Sequence, residues 1–227
     1  MTKLAKQLQT VQERINQACE TFSRPKSDVQ LIGASKTKPA AAIRTLCNHG
    51  LQHFGENYLN EATTKQAELT DLDIIWHYIG QIQSNKTKQI AQHFHWVHGV
   101  DRFKIAKRLS EQSPANKPLN ILLQINLDNE TSKAGVCPEE TLTLAAQVSE
   151  LPNLSLRGLM ALPKARNCFT EQQACLTQLK TLQSHINQTL EIQMDTISAG
   201  MSNDLEAAIA AGSTMVRIGT DLFGART

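Results

Sequence analysis

Leu4, Leu8, Val11, Ile15, Ala18 and Phe22 recur at steps of three and four along residues 3–22. That period predicts one amphipathic helix with a single apolar stripe. The stripe is modest and a whole domain follows to cover it, so packing against that domain is favoured over a membrane or partner role. Beyond it, short apolar runs alternate with helical stretches. Strands are predicted at 29–35, 52–54, 74–79, 96–100, 119–126, 155–160, 194–199 and 214–218. Helices are predicted between them at 39–48, 57–69, 85–93, 101–111, 138–150, 170–189 and 203–211. Eight strands alternating with helices in a chain of this length predict a (β/α)₈ barrel carrying an extra N-terminal helix. The competing architecture is an open doubly wound sheet. It would place a G-x-G-x-x-G fingerprint after the first strand, where "GASKTKP" stands instead. No composition shift or low-complexity linker divides the chain, so residues 1–227 are read as one domain.

Composition narrows the class without changing the fold. Hydrophobic residues make up 41% and charged residues 19%, the balance of a soluble globular protein. Net charge is only +2 and aromatics are 4%, so no basic stripe with interleaved aromatics offers a nucleic-acid surface. Five scattered cysteines, an odd number, suit reduced thiols better than a disulfide framework. The N-terminal stretch has no long apolar run, and no segment approaches a membrane span. A cytoplasmic location is the expectation.

In such a barrel, chemistry collects at the C-terminal ends of the strands. Lys36 closes the first strand. Alternation puts Ile32, Ala34 and Lys36 on one face, and the small Ala34 leaves room beside the amine. A desolvated lysine there is a candidate for Schiff-base chemistry. A strand-end lysine is also commonly solvated or ion-paired, and the strand alone does not decide. Lys38, just before Pro39, reads as a solvated rim residue.

The far end of the chain is more specific. "SAGMSNDLEAAIAAG" runs from a strand through a glycine turn into a helix. The spacing of Asn203 and Glu206 is that of a capping box, which predicts a helix start near Ser202. Helix N-termini attract anions, and the Ser202 hydroxyl adds a donor. The next strand delivers Gly219 and Thr220 just past its end. Loops after the seventh and eighth strands form the usual barrel phosphate site, so the pair in this order points to phosphate binding. Arg217 is predicted to face the barrel interior. There it needs either a buried carboxylate or a ligand acceptor.

"HFGENYLNEA" and "WHYIGQIQSNK" put further polar residues, Glu56, Asn57, Gln81, Ser84 and Asn85, after the second and third strands. His93, His95 and His98 in "HFHWVH" lack a Cys or carboxylate at ligand spacing, so no metal site is expected. G-x-S-x-G and P-loop motifs are absent.

Taken together, "ASKTKP", "FGENY", "WHYIGQIQSNK", "GLMALP" and "GMSNDLEAAIAAGSTMVRIGTDLFGAR" resemble the pyridoxal 5′-phosphate homeostasis proteins over nearly the whole chain. That family looks like the barrel domain of alanine racemase standing alone. The resemblance implies a cofactor, pyridoxal 5′-phosphate, held as an internal aldimine on Lys36. It implies that Ser202, Gly219 and Thr220 hold the phosphate, that Arg217 meets the pyridine nitrogen and that Asn57 lies beside the ring. Lys133 in "TSKAGV" matches a further lysine near the cofactor mouth. Asp221 is a departure: a carboxylate directly after the phosphate loop would weaken binding unless it points away.

What the cofactor would do is argued from Arg217. Carbanion chemistry uses a protonated ring nitrogen held by a carboxylate. Arginine does not give up its proton near neutrality, so the sink is expected to be weak. Racemisation also needs a base on the opposite face. In the related racemase a tyrosine from another domain and subunit supplies it, and no such domain is recognised here. The expectation is a carrier without turnover and without catalytic residues, a monomer acting in vitamin B6 and amino-acid homeostasis through transient contact with apo-enzymes. Two alternatives share its residues: a racemase-like enzyme on the same cofactor, and a lysine Schiff-base aldolase on a phosphorylated sugar.

Overall fold

The computed structural model describes residues 2–130 and 133–224. Thr131 and Ser132 of "TSKAGV", and residues 225 and 226 of the last motif, lie outside them. Eight parallel strands close into a barrel in sequence order: β1 (Gln30–Ala34), β2 (His53–Glu56), β3 (Ile75–Tyr78), β4 (Trp96–Val100), β5 (Leu119–Ile125), β6 (Leu154–Ala161), β7 (Thr196–Ser198) and β8 (Met215–Ile218). The helices are α1 (Lys3–Thr21), α2 (Ala40–Cys47), α3 (Leu59–Glu68), α4 (Thr87–His93), α5 (Phe103–Gln112), α6 (Pro138–Ser149), α7 (Phe169–Leu190), α8 (Leu205–Ala210) and α9 (Thr220–Phe223). This is the expected (β/α)₈ barrel, with α1 as the extra N-terminal helix. No helix among the described residues is long and apolar enough to cross a membrane.

The predicted stripe of α1 is buried at Leu8, Val11, Ile15 and Ala18, with Leu4 and Phe22 partly buried against the same core. It packs on α2, α8 and α9. The main apolar core lies between the strands and the helix ring, where Val216 and Ile218 of β8 point outward. The register Ile32↔Arg217 across β1 and β8 closes the barrel and sets the ends of the two strands side by side.

Two strands have a boundary two residues from the pattern reading, while the others lie within one residue of it. β2 runs on through Gly55 to Glu56, whereas a glycine reads as a strand breaker. A Cβ at Gly55 would sit 2.8 Å from the Ile79 side chain, so glycine is there to admit a neighbour inside the barrel. β7 is shorter than its apolar run. Asn187 takes over the backbone of Met194, donating to its carbonyl and accepting from its amide.

The barrel interior is polar along one line. His53 Nδ1 lies 2.9 Å from His77 Nε2, His77 Nδ1 lies 2.9 Å from His98 Nε2, and His98 Nδ1 lies 2.9 Å from Ser198 Oγ. Arg217 Nη1 donates to Ser198 Oγ at 2.5 Å. Because β4 and β7 are not neighbours, this chain crosses the lumen. Each bond needs one donor, so neutral imidazoles must all point their protons the same way along it.

Candidate functional site

A cavity of about 410 Å³ opens at the C-terminal end of the strands, a volume typical of small-molecule sites. Lys36, Asn57, Ser202, Arg217, Gly219 and Thr220 all line it, together with Ala34, Lys38, Ile79, Leu162, Met201 and Asp221. The structure thus brings together every residue that the sequence singled out as cofactor-binding.

Lys36 sits in the turn directly after β1. Ala34 and Lys36 face the cavity, as strand alternation requires, while Ser35 between them turns away. Its hydroxyl donates to Glu56 Oε1 at 2.6 Å. Lys65 of α3 completes this outer cluster. Its ammonium donates to the Ser35 carbonyl at 2.8 Å, to Glu56 Oε1 at 2.7 Å and to Glu61 Oε1 at 2.5 Å. Glu61 also accepts from the Thr37 amide at 2.6 Å. Thr37 has φ +64°, a left-handed conformation that costs a non-glycine residue about 1–2 kcal/mol. The cluster therefore grips the backbone on both sides of Lys36 and offsets the strain of its turn. Glu56 is fully buried, and burial raises its pKa against the pull of Lys65 and Ser35. It is not a polar loop residue of the functional face, as its sequence position suggested.

Lys38 is half-buried, lines the cavity and reaches the Phe223 carbonyl at 3.4 Å, so it is less solvated than its place before Pro39 implied. The Asn57 backbone packs directly against Gly80. A Cβ at that glycine would stand 2.2 Å from the Asn57 carbonyl oxygen. The Asn57 Oδ1 is buried with no hydrogen-bond partner among the described residues, an acceptor left open beside the cavity.

The anion side differs from the expected capping box. α8 begins at Leu205, with Asp204 at the N-cap position, so Ser202 and Asn203 belong to the preceding turn. Asp204 Oδ1 accepts from the Met201 amide at 2.6 Å and closes that turn. Glu206 turns outward to Arg14 of α1 instead of back to Asn203. Gly219 and Thr220 open the short helix α9, whose first N–H groups have no intrahelical partner. Asp221 lines the cavity, but its carboxylate is paired with Arg14 Nη1 at 2.5 Å, so the departure noted in the sequence is met by an ion pair.

Arg217 is buried without a carboxylate within ion-pair distance. It donates to Ser198 Oγ and to the Ala161 carbonyl at 3.0 Å. Burial lowers its pKa to about 10, opposed by Asp204, so the guanidinium stays charged at neutral pH. Of the two ways to satisfy an interior arginine, the buried carboxylate is absent among the described residues and the ligand acceptor remains. Both tyrosines lie outside the cavity lining. Tyr58 is exposed and Tyr78 donates to the Gln81 carbonyl at 3.2 Å. Lys133 is held at the rim by Glu130 at 2.9 Å and by the carbonyl of Leu162, itself a lining residue. The histidines of "HFHWVH" do not converge. His98 joins the lumen chain and His95 Nδ1 accepts from the Trp76 amide, and no metal-ligating cluster is present among the described residues.

The donor set fits an anionic pyridine aldehyde. It offers an amine at Lys36, a buried cation at Arg217 that needs an acceptor, an open acceptor at Asn57 and a two-loop anion clamp. These four features of one cavity are hard to match with a sugar phosphate, which has no planar nitrogen acceptor for Arg217.

Known proteins fit the same picture. The family described as alanine racemase, N-terminal domain, matches residues 1–227. The chain is 53% identical to the pyridoxal phosphate homeostasis protein of Pseudomonas aeruginosa over 227 residues, covering 100% of this chain and 97% of that one. It is 45% identical to the protein of the same name from Escherichia coli K12, covering 100% and 98%. It superposes on PipY of Synechococcus elongatus PCC7942, solved with PLP bound, at a TM-score of 0.83 and 36% identity, covering 98% and 100%.

Proposed function

The chain belongs to the alanine racemase N-terminal domain family, and on that premise we propose that it is a single-domain carrier of pyridoxal 5′-phosphate serving intracellular vitamin B6 and amino-acid homeostasis without catalytic turnover. The observation that carries this reading is the gathering of an amine, a buried guanidinium and two anion-binding loops around one cavity. When bound, the cofactor supplies an aldehyde and an electron-accepting ring. Lys36 provides the covalent attachment. Ser202, Gly219 and Thr220 take the phosphate, and Asn57 flanks the ring. Arg217 donates to the ring nitrogen and, being charged and without a nearby carboxylate, keeps that nitrogen unprotonated.

The same features argue against a racemase. Asp221 is the one carboxylate among the lining residues, and Arg14 holds it. Neither tyrosine faces the cavity to serve as a second base. Two measurements test the proposal. Borohydride reduction followed by peptide mapping should place the pyridoxyl group on Lys36; finding it mainly on Lys38 or Lys133 would overturn the assignment. Exchange of amino-acid α-hydrogens in heavy water, with protein in substrate amounts, should be negligible. Rapid exchange that depends on Lys36 would replace the carrier by an enzyme.

A further inference from the structure

We infer that Arg14, on the N-terminal helix and outside the cavity, is the positioning residue that assembles the anion clamp and shields it from Asp221. The inference rests on the phosphate reading of the two loops given above. It starts from one side chain with an unusual set of partners. Arg14 Nε donates to Glu206 Oε1 at 2.8 Å and Nη2 donates to Glu206 Oε2 at 3.0 Å, a bidentate pair with α8. The same Nη2 donates to the Ser202 carbonyl at 3.0 Å, on the first anion loop. Nη1 donates to Asp221 at 2.5 Å, on the second. A single planar guanidinium therefore ties together two loops that come from different strands and touch the cavity from either side.

Geometry explains why arginine is needed. Its fork can serve a carboxylate edge-on while spare N–H groups reach other acceptors, which a lysine ammonium cannot reproduce in one plane. Arg24, three residues past the end of α1, donates to the carbonyls of Ile209 at 2.9 Å and Ser213 at 2.6 Å. The N-terminal segment thus fastens both ends of α8. The contribution of Arg14 is also electrostatic. Asp221 follows Thr220 directly and lines the cavity. Released from Arg14, its carboxylate would stand free beside a site built for an anion.

This gives a signature that a merely structural arginine lacks. Arg14→Met should weaken binding of pyridoxal 5′-phosphate by roughly tenfold to a hundredfold, the range for losing charge-assisted hydrogen bonds. Binding of 5-deoxypyridoxal, which has the aldehyde and ring but no phosphate, should stay within about twofold of the parent protein. Adding Asp221→Asn to Arg14→Met should recover a substantial part of the lost affinity, and Arg14→Lys should fall between the parent and the methionine variant. Circular dichroism and thermal melting establish that each variant is folded; if Arg14→Met is not, Arg14→Lys carries the same comparison. Equal losses for both probes, or no recovery with Asp221→Asn, would overturn the proposal. So would unchanged affinity in Arg14→Met. Failure of the underlying phosphate reading looks different: the unmodified protein would bind 5-deoxypyridoxal as tightly as pyridoxal 5′-phosphate.

Discussion

Lys65→Met is the sharpest perturbation of the wall behind Lys36. Lys65 and Glu56 are a buried pair, with side-chain exposures of 7% and 0%, and removing one partner leaves the other charge uncompensated. Such a loss costs about 3–5 kcal/mol. Glu56 already has a raised pKa from burial, and without Lys65 it must rise further. The sign follows. A carboxyl whose folded pKa lies above its unfolded value near 4.3 holds a proton in the folded state that the unfolded chain has released. The deficit of the variant relative to the parent is therefore smallest at acid pH, where both folded proteins hold the proton, and grows by up to about 1.4 kcal/mol per pH unit between the folded pKa of the parent and the higher folded pKa of the variant. Urea denaturation of both proteins at pH 7 and pH 5 measures it. The double variant Lys65→Met with Glu56→Gln should lose most of the pH dependence, because the fully buried carboxyl of the cluster is gone. Cofactor retention should fall as well, since the Ser35 carbonyl loses its donor and the strained Thr37 turn loses part of its support. A deficit under about 1 kcal/mol at pH 7, or one identical at both pH values, would refute the reasoning.

Two further outcomes test other parts of the site. Burial first, then the neighbouring histidines for His77 and Arg217 for His98, holds both well below the usual histidine range, so both are neutral when folded but protonate when unfolded below about pH 6.5. Their contribution to stability is complete above that pH and is lost as pH falls, by up to roughly 2–3 kcal/mol per pH unit for the pair, and a flat denaturation midpoint between pH 7 and 5 would contradict it. Gly80→Ala pushes a methyl to 2.2 Å from the Asn57 carbonyl oxygen, so the Asn57 backbone must move. A loss of about 1–3 kcal/mol with weaker cofactor retention is expected, against unchanged melting and retention if Asn57 plays no part.

The fold was legible because every strand of a barrel repeats one local pattern. Lys36 and Arg217 were legible for the same reason: alternation along β1 and β8 fixes which way each points before any partner is known. Glycine was the weak sign. Gly55 reads as a break, but its reason is the Ile79 side chain just past the end of the next strand. The supporting residues were illegible because they act across long stretches of chain. Nothing near Arg14 announces Glu206, and nothing near Lys65 announces Ser35. His77 was missed because a histidine in a strand carries no local signal; only its placement opposite His53 and His98 makes it one link of the lumen chain. The capping box failed for a related reason. Asn203 and Glu206 have the right spacing, but Arg14 competes for Glu206 with a bidentate ion pair, and Asp204 closes the turn instead.

The arrangement separates charge by side. Lys36, Lys38 and Arg217 line the cavity, whereas four acidic groups close to it are engaged by a cation placed on its outer side: Glu56 and Glu61 by Lys65, Asp221 and Glu206 by Arg14; Asp204 is engaged by the Met201 amide. A site meant to accept a multiply charged anion gains from this, because the carboxylates that brace its loops add little repulsion inside. On the carrier reading proposed above, the same separation suits the site to holding more than to reaction. A ring nitrogen facing a charged arginine receives a hydrogen bond and no proton, and the histidine chain behind Arg217 consists of neutral imidazoles that carry no acid to it. Supplying that proton would first require loosening the arginine's hold on the nitrogen, and Ser198, its buried hydrogen-bond partner, is the place to do so. Ser198→Asp is thus the substitution that most directly opposes the carrier design. It would pair the buried Arg217 charge and compete for its donors, and α-hydrogen exchange is the measurement in which any gain of reactivity would show.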